Sequence, residues 1–269
     1  MIWKLRPLAG RLAFVCLCAS AAAAVAPLTP EEMSAAARID GLSIPMPGEF
    51  MASLNKLGKL DWTKKFRIPI GTSYTSRPQM ALNLGGLIAD GYIAIEAEDS
   101  QQVKNIGRDV LTLSTALGVS KDVQARGGSI IGFAEHSQWD QLKEELEATQ
   151  NEVKQSMTEA KDQDLVTLVT VGGWLRGMEV ISGHIAAHYT ETGGKLLRQP
   201  GIINFLNQRL EQLPDKIKDD ASVKTVKKKM TDLEKLIAFP LDKAPTADEV
   251  KELNKLTADA VKEISKKQK

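Results

Sequence analysis

The longest strongly apolar run after the N-terminus is LVTLVTVGGWLRGMEVISGHIAAHY, residues 165–189. Its largest apolar side chains recur at helical spacing and form one stripe, made of Trp174, Met178, Ile181 and Ile185. Such periodicity predicts a helix that buries this stripe. Arg176, Glu179 and His184 interrupt the run, and its uncharged part is shorter than the roughly 20 residues needed to cross a bilayer. We therefore predict a buried central helix rather than a membrane span.

Glycines inside this run indicate that another helix comes close to its backbone. A glycine costs a helix about 1 kcal/mol relative to alanine, and Gly173 and Gly177 have the small-residue spacing that permits close approach. A second run, LNLGGLIADGYIA at residues 82–94, aligns with residues 169–181 when the Gly-Gly pairs are superposed. A duplication would explain the likeness, but we favour two core helices that pack at their glycines. A third pair, Gly127-Gly128, repeats no other position, so we predict no solenoid.

The composition predicts a helical protein with one substantial core. The chain has 269 residues, of which 43% are hydrophobic and 26% charged, a balance typical of globular proteins. Aromatic residues make up only 5%, and the abundant alanine, leucine, lysine and glutamate favour helices. We predict an all-α fold, an irregular multi-helix bundle around the Gly-rich central helix, with a C-terminal antiparallel helical hairpin.

The first 24 residues have the pattern of a secretory signal peptide. Three basic residues precede or adjoin an apolar core at residues 12–18, and residues 20–26 supply small side chains for cleavage after Ala24. The predicted location of the mature protein is therefore periplasmic or secreted.

Both cysteines, Cys16 and Cys18, lie in this signal segment, so the mature chain is predicted to be cysteine-free. That excludes disulfide scaffolds, Cys-based zinc sites and thiol nucleophiles. Removing the three positive charges of the segment from the chain's net charge of +1 leaves −2 for the mature protein. A nearly neutral chain gives no reason to expect a nucleic acid as partner.

The rest of the chain divides into three predicted parts. Residues 25–75 form an N-terminal arm with short helices and no recognisable chemistry, residues 76–213 form the helical bundle core, and residues 214–269 form the charged hairpin. The apolar positions of the hairpin alternate spacings of three and four, which makes a narrow seam. Because lysines fill its outer faces, we expect the hairpin to be a peripheral module.

Capping residues predict where the helices of the bundle begin and end. The predicted N-terminal caps are Ser76, Asp99 or Ser100, Ser120 and Ser137. Gly118 is predicted to end the second long helix, and Gly193-Gly194 to end the central helix.

Two histidines and a glutamate form a candidate metal site. His184 and His188 are four residues apart, and Glu191 follows three residues later on nearly the same helix face. Two imidazoles and a carboxylate at this spacing could bind Zn²⁺ or another divalent metal. The catalytic glutamate of an HExxH motif is absent. The competing interpretation, which we favour, is that the histidines are polar residues near the end of a core helix.

An arginine in the central helix is the candidate for ligand binding. Arg176 and Glu179 are three residues apart and can pair on one helix face. Asp90, in the matching Gly-Gly helix, is a second potential partner. Arg176 could bind a carboxylate or phosphate with two hydrogen bonds. The competing interpretation, an internal structural ion pair, is the one we favour.

No catalytic motif accompanies these residues. The chain has no P-loop, no GxSxG and no GxGxxG between a strand and a helix, so an enzyme is the less favoured class. We predict an exported, soluble helical protein that acts by binding or scaffolding, with no evident cofactor, and with another envelope protein or a small ligand as partner. The alternatives are a metal- or cofactor-binding protein that uses His184 and His188, and an enzyme of unrecognised class with a site near Arg176.

Overall fold

Helices dominate the described part of the chain, which confirms the all-α fold class. A short antiparallel pairing joins Arg38–Ile39 (β1) to Leu42–Ser43 (β2). The structure, a computed structural model, describes residues 38–39, 42–43, 47–55, 58, 60–240 and 242–267. The predicted signal peptide, both cysteines and the start of the predicted arm lie outside the described residues.

Two short elements come first and a series of longer helices follows. A helix α1 at Pro47–Asn55 is followed by a 3₁₀ turn at Trp62–Lys65. The later helices are α2 Arg77–Glu96, α3 Ser100–Leu117, α4 Ser120–Glu135, α5 Trp139–Glu159, α6 Gln163–Ala187, α7 Glu191–Lys195, α8 Pro200–Gln212, α9 Asp215–Lys218, α10 Ala221–Ile237 and α11 Ala247–Ser265.

Several predicted helix ends are confirmed by the hydrogen bonds of the caps. The side chain of Ser76 accepts a hydrogen bond from the Gln79 amide at the start of α2, and that of Asp99 accepts one from the Gln102 amide at the start of α3. Gly118 ends α3 in the left-handed conformation, with a φ of 86°. A glycine adopts that conformation without steric cost, which explains its position there.

Three predicted boundaries are wrong. Ser120 is the first residue of α4 rather than its cap, and Val119 precedes it. Ser137 lies before α5 with a φ of 55°, while Gln138 occupies the cap position without a capping side-chain bond. The central helix α6 ends at Ala187, before Gly193-Gly194. The backbone leaves the helical conformation at His188, and a separate short helix starts at Glu191.

The two Gly-Gly helices form the centre of the fold, as predicted. A Cβ atom on Gly85 of α2 would lie 1.9 Å from the carbonyl oxygen of Val169, and a Cβ on Gly172 of α6 would lie 1.9 Å from that of Leu82. These distances are far below any van der Waals contact, so only glycine permits this approach. The close contact therefore rests on Gly85 and Gly172, while a Cβ on Gly173 would meet Gly85 less tightly, at 3.3 Å.

The C-terminal hairpin, α10 and α11, packs on the central helices, so the expectation of a peripheral module is wrong. The Asn83 side chain of α2 donates a hydrogen bond to the Ile264 carbonyl over 2.7 Å, and Asn254 of α11 donates to the Glu179 carbonyl over 2.9 Å. The apolar seams of both hairpin helices are buried in the same core as α2 and α6. The narrow apolar seam of each hairpin helix faces the bundle as well as the other hairpin helix. The sequence pattern alone does not show which of these neighbours a seam contacts. The division at residues 24, 75 and 213 stays a prediction.

One helix of the described residues, α6, is long and apolar enough to span a membrane by length and composition. Of its most apolar window, 94% is buried inside the fold. Its apolar character is thus explained by its packing against α2 and α11.

Candidate functional site

The carboxylate of Asp90, on α2, lies between two arginines. Arg176 of α6 donates from Nε to Asp90 Oδ1 over 2.7 Å. Arg67, from the extended segment before α2, donates from Nε to Asp90 Oδ2 over 2.7 Å, and its Nη2 lies 2.5 Å from the same oxygen. The side chain of Asp90 is only 10% exposed, so these charge-assisted bonds are shielded from water. The structure thus brings together the predicted trio of Arg176, Glu179 and Asp90, and adds Arg67.

Each of the three guanidinium nitrogens of Arg176 has a partner within the protein. Besides its bond to Asp90, Arg176 donates from Nη1 to Glu179 Oε2 over 2.8 Å and from Nη2 to the Lys65 carbonyl over 2.6 Å. Burial lowers the pKa of Arg176, but the charges of Asp90 and Glu179 outweigh this effect and raise it. This geometry favours the structural ion pair over a direct grip on a ligand, because all three nitrogens have protein partners.

Gly86 makes room for the second arginine. A Cβ at position 86 would lie 3.2 Å from Nη2 of Arg67, closer than most real Cβ contacts. The Gly-Gly pair of α2 therefore serves two neighbours. Gly85 admits the backbone of α6, and Gly86 admits the guanidinium that pairs with Asp90.

A cleft of about 470 Å³ opens above this network, and we name it the Asp90 cleft. It lies between the extended segment before α2 and the first half of α3, with α2 as its floor. Its polar lining is Arg67, Asp90, Gln102, Asn105, Arg108 and Asp109. Its apolar lining is Phe66, Ile68, Pro69, Ile70, Leu87 and Ile106. The volume lies within the range of small-molecule sites, roughly 300–1,000 Å³.

The outer wall of the cleft carries a second arginine and aspartate. Burial raises the pKa of the Asp109 carboxyl, and the neighbouring Arg108 charge offsets part of that rise. Burial also raises the pKa of Tyr74 to about 12, with Arg67 and Asp109 acting on it in opposite directions. Arg108 is exposed and bonds the side-chain oxygen of Asn105. The cleft therefore has one neutralised carboxylate, Asp90, and a charged rim.

The proposed metal ligands are only partly brought together. The rings of His184 and His188 lie 4.9 Å apart, at the end of α6. Burial, with the charges of Lys65 and His188, lowers the pKa of His184. Glu191 begins the separate helix α7, so the uninterrupted helix face that the spacing implied does not exist. The described residues contain no group of three or more His, Asp or Glu side chains placed to hold a metal ion. The metal hypothesis stays a prediction.

Helices α4 and α5 each carry a buried charge that the sequence analysis missed, Arg126 and Lys154. Arg126 of α4 pairs with Glu152 and, at 3.3 Å, with Glu145. Burial lowers the pKa of Arg126, but these glutamates outweigh it and raise the pKa. Lys154 is 5% exposed, and burial lowers its pKa to about 8. On its helix face, Gln150 Oε1 and Asn151 Oδ1 have no hydrogen-bond partner among the described residues.

Comparison with known proteins adds no functional information, since no protein family model, characterised protein or solved structure matches this chain.

Arg67 is the site residue that the sequence analysis most clearly missed. The arm was predicted to carry no recognisable chemistry, and that is wrong for the part before α2, because Arg67 pairs with Asp90 across the cleft floor. The available signal was a lone basic residue inside the apolar segment FRIPI, residues 66–70. A charge in such a segment is usually paired, but nothing in the sequence identified Asp90 as its partner.

Proposed function

We propose that the mature protein is exported and acts by binding a small ligand in the Asp90 cleft, without transforming it. The observation that carries this proposal is the cleft of about 470 Å³ whose charged floor is already fixed by the Arg67–Asp90–Arg176 network. A site whose polar groups are held in place before binding loses little conformational freedom when the ligand arrives.

The arrangement of the cleft supports binding rather than catalysis. Both carboxylate oxygens of Asp90 already accept hydrogen bonds from arginines, so this side chain serves as an ion-pair partner inside the protein. Asp109 has a raised pKa, but no nucleophile within the described lining lies beside it in a hydrogen-bonded pair. The polar groups can therefore select and orient a ligand by charge.

Export is supported by the N-terminal sequence, with its basic start, short apolar core and small residues up to Ala24. If the protein is exported, N-terminal sequencing of the envelope or secreted fraction will give a chain that begins close to Val25. A cytosolic chain that begins at Met1 would contradict export.

The binding site can be tested by a fragment screen followed by amide chemical shifts. We expect small polar and charged fragments to shift amides around Gln102 and Asn105, and Asn105→Trp, which fills the cleft, to abolish these shifts. The matched control is Asn204→Trp, at an exposed position of α8. Shifts that cluster elsewhere, or that survive Asn105→Trp, would contradict the proposal. A zinc titration that shifts only amides around His184 and His188 would instead support the metal alternative.

A further inference from the structure

A second cavity, of about 110 Å³, lies between α2, α3, α4 and α5, and we name it the α3–α4 cavity. Most of its wall is apolar, and its apolar lining includes Ile95, Val103, Val110, Ile130, Leu142 and Leu146. The hydroxyl of Thr149, one of its few polar lining groups, is already bonded to the Glu145 carbonyl over 2.7 Å. Such a cavity offers an apolar ligand burial without leaving polar groups unpaired.

The α3–α4 cavity adjoins the Asp90 cleft. Leu87, Ile106 and Arg108 line both spaces. Leu87 and Ile106 form an apolar boundary, and Arg108 stands at the side of it that faces solvent. One ligand can therefore place a polar group in the cleft and an apolar group in the cavity. Such a ligand must be narrow where it passes between Leu87 and Ile106.

The helix that covers the cavity, α4, is packed loosely. Its glycines are not required by any close neighbour, since a Cβ added to Gly127, Gly128 or Gly132 would meet no atom within 4 Å. Glycine weakens a helix relative to alanine. Ile131, which lines the cavity, is still 43% exposed to solvent. The cover is thus a weak helix that leaves apolar surface unburied.

Polar contacts hold α4 on both sides of the part that carries Ile130 and Ile131. Before it, near the middle of the helix, Arg126 is buried against Glu145 and Glu152 of α5. At its end, Ser100 donates a hydrogen bond to the Ala134 carbonyl over 2.6 Å, and Lys104 pairs with Glu135 over 2.9 Å. Between these contacts, the part of α4 that covers the cavity relies on the side chains of Ile130 and Ile131. Small displacements of this part would enlarge the cavity while the contacts on both sides stay in place.

We propose that the two spaces form one site for a single-chain amphiphile with a carboxylate head, of the fatty-acid class. The hydrocarbon chain enters the α3–α4 cavity, and the head lies in the Asp90 cleft beside Arg108. This inference rests on the proposed function and names the ligand class of the same site. The cavity is close in size to an apolar protein cavity of about 150 Å³ that binds benzene, so a single chain fits where a fused ring system does not.

The head group is assigned from the charges around the boundary. Arg67 is already neutralised by Asp90, whereas Arg108 is exposed and forms no ion pair with a carboxylate among the described residues. Asp109, next to Arg108 in the lining of the cleft, carries the same charge as a carboxylate head and is not paired with an arginine as Asp90 is. Because Arg108 attracts a carboxylate head and Asp109 repels it, removing the charge of Arg108 should weaken binding and removing that of Asp109 should strengthen it.

The test is isothermal titration calorimetry of the mature chain with hexanoate, octanoate, decanoate and dodecanoate, all below their micelle concentrations. Affinity should rise about fourfold per buried methylene until the cavity is full. Gly127→Leu, which projects into the cavity, should weaken dodecanoate binding at least about tenfold, as expected for the displacement of two or more methylenes. Gly201→Leu, at an open and exposed position of α8, is the matched control and should leave binding unchanged.

The head group is tested with two substitutions and two further probes. Arg108→Gln should weaken dodecanoate binding and leave dodecanol binding unchanged, whereas Asp109→Asn should strengthen dodecanoate binding. Dodecylammonium should bind more weakly than dodecanoate. The reverse order, with reversed effects of the two substitutions, would show a cationic amphiphile and overturn the assignment of the head.

Other outcomes separate this inference from the proposed function. If fragments bind in the Asp90 cleft but dodecanoate does not bind, the cleft is a ligand site and the amphiphile proposal is wrong. If neither binds, both proposals fail. An equal loss of affinity in Gly127→Leu and Gly201→Leu would also contradict the proposal that an amphiphile binds in the α3–α4 cavity. Should Gly127→Leu fail to fold, Gly107→Leu provides the same test, because Gly107 also lines the cavity and a Cβ added there would meet no atom within 4 Å.

Discussion

The contact between α2 and α6 and the region around α4 are both rich in glycine, but glycine has opposite consequences in the two places. Gly85 and Gly172 let two backbones approach so closely that a single added carbon would lie 1.9 Å from a carbonyl oxygen. Around Gly127 and Gly132, an added carbon would meet nothing within 4 Å. The first pair of glycines tightens the core, and the second set weakens a helix that covers a cavity.

A buried arginine joins two helices in each region, so the contrast does not come from the ion pairs alone. Arg176 connects α6 to Asp90 of α2, and Arg126 connects α4 to Glu145 and Glu152 of α5. The α2–α6 pair adds backbone contact around its arginine, whereas α4 is left with half-exposed isoleucines. What differs is the packing around the buried arginine. On this account the α2–α6 contact is rigid, whereas α4 can move away from the cavity that it covers.

The largest expected effect is that of Asp90→Ala. The substitution leaves Arg176 buried without its α2 partner and removes the partner of Arg67, and breaking a buried pair in this way costs about 3–5 kcal/mol. Urea denaturation measures the loss. The matched variant is Asp109→Ala, at a half-buried position with no ion pair within salt-bridge distance among the described residues, and it should change stability by much less. Equal losses in the two variants would mean that the network does not hold α2 on α6.

Gly85→Ala should lower the free energy of unfolding by about 3 kcal/mol, the upper end of the usual range for overpacking. The new methyl group would meet the Val169 carbonyl oxygen at 1.9 Å and the Gly173 amide nitrogen at 2.7 Å, and neither backbone atom can rotate away. The helices must separate instead. Thermal or urea unfolding that matches the wild type would show that α2 and α6 are farther apart than described.

Lys154→Met should stabilise the protein at neutral pH by no more than about 3 kcal/mol. The folded-state pKa of about 8 lies below the ordinary value of 10.5, so the unfolded chain binds more protons between these two pH values. Wild-type stability therefore rises with pH through this window, by about 1.4 kcal/mol for each unit of pKa difference. The variant should lose that rise. A wild-type profile that falls between pH 8 and 10.5 would contradict the burial of Lys154, for which the described residues provide no ion-pair partner.

Gly127→Ala should stabilise the protein by up to about 1 kcal/mol, the reverse of Gly85→Ala. The added methyl group meets no atom, and alanine is the better helix former. Differential scanning calorimetry of the two variants gives the comparison directly. If Gly127→Ala destabilises the protein as strongly as Gly85→Ala, then α4 is packed as closely as the core and cannot serve as a movable cover.

The sequence was most informative where local chemistry decides the outcome. Ser76, Asp99 and Gly118 were correctly assigned as helix ends, because each makes its contact with residues only a few positions away. The central helix and its packing against the other Gly-Gly helix also followed from periodicity and from the cost of glycine. The Arg176–Glu179–Asp90 trio was found for the same reason, since a charge in an apolar helix requires a partner.

Long-range contacts account for most of what was missed. The partnership of Arg67 with Asp90 joins residues 23 positions apart through an irregular segment with no periodicity. The docking of α11 on α6 depends on tertiary packing that a narrow apolar seam does not reveal. The Gly127-Gly128 pair shares only its two glycines with the other two stretches, and only the space around it shows that no backbone approaches it as closely as at Gly85. The end of the helical conformation at His188, which places Glu191 on another helix, is not marked in the sequence by a helix-breaking residue such as proline.

Native-state amide hydrogen exchange tests the central claim, that α2 and α6 form a rigid centre while α4 is a separable cover, most directly. Amides in the interior of α6, residues 170–180, should exchange only through global unfolding, with a free energy of opening equal to that from urea denaturation. Amides of residues 128–134 in α4 should exchange through a local opening of much lower free energy and weak dependence on denaturant. If the α4 amides instead match those of α6 in free energy and in denaturant dependence, α4 belongs to the same cooperative unit as the core. The contrast between the two glycine-rich regions would then be wrong.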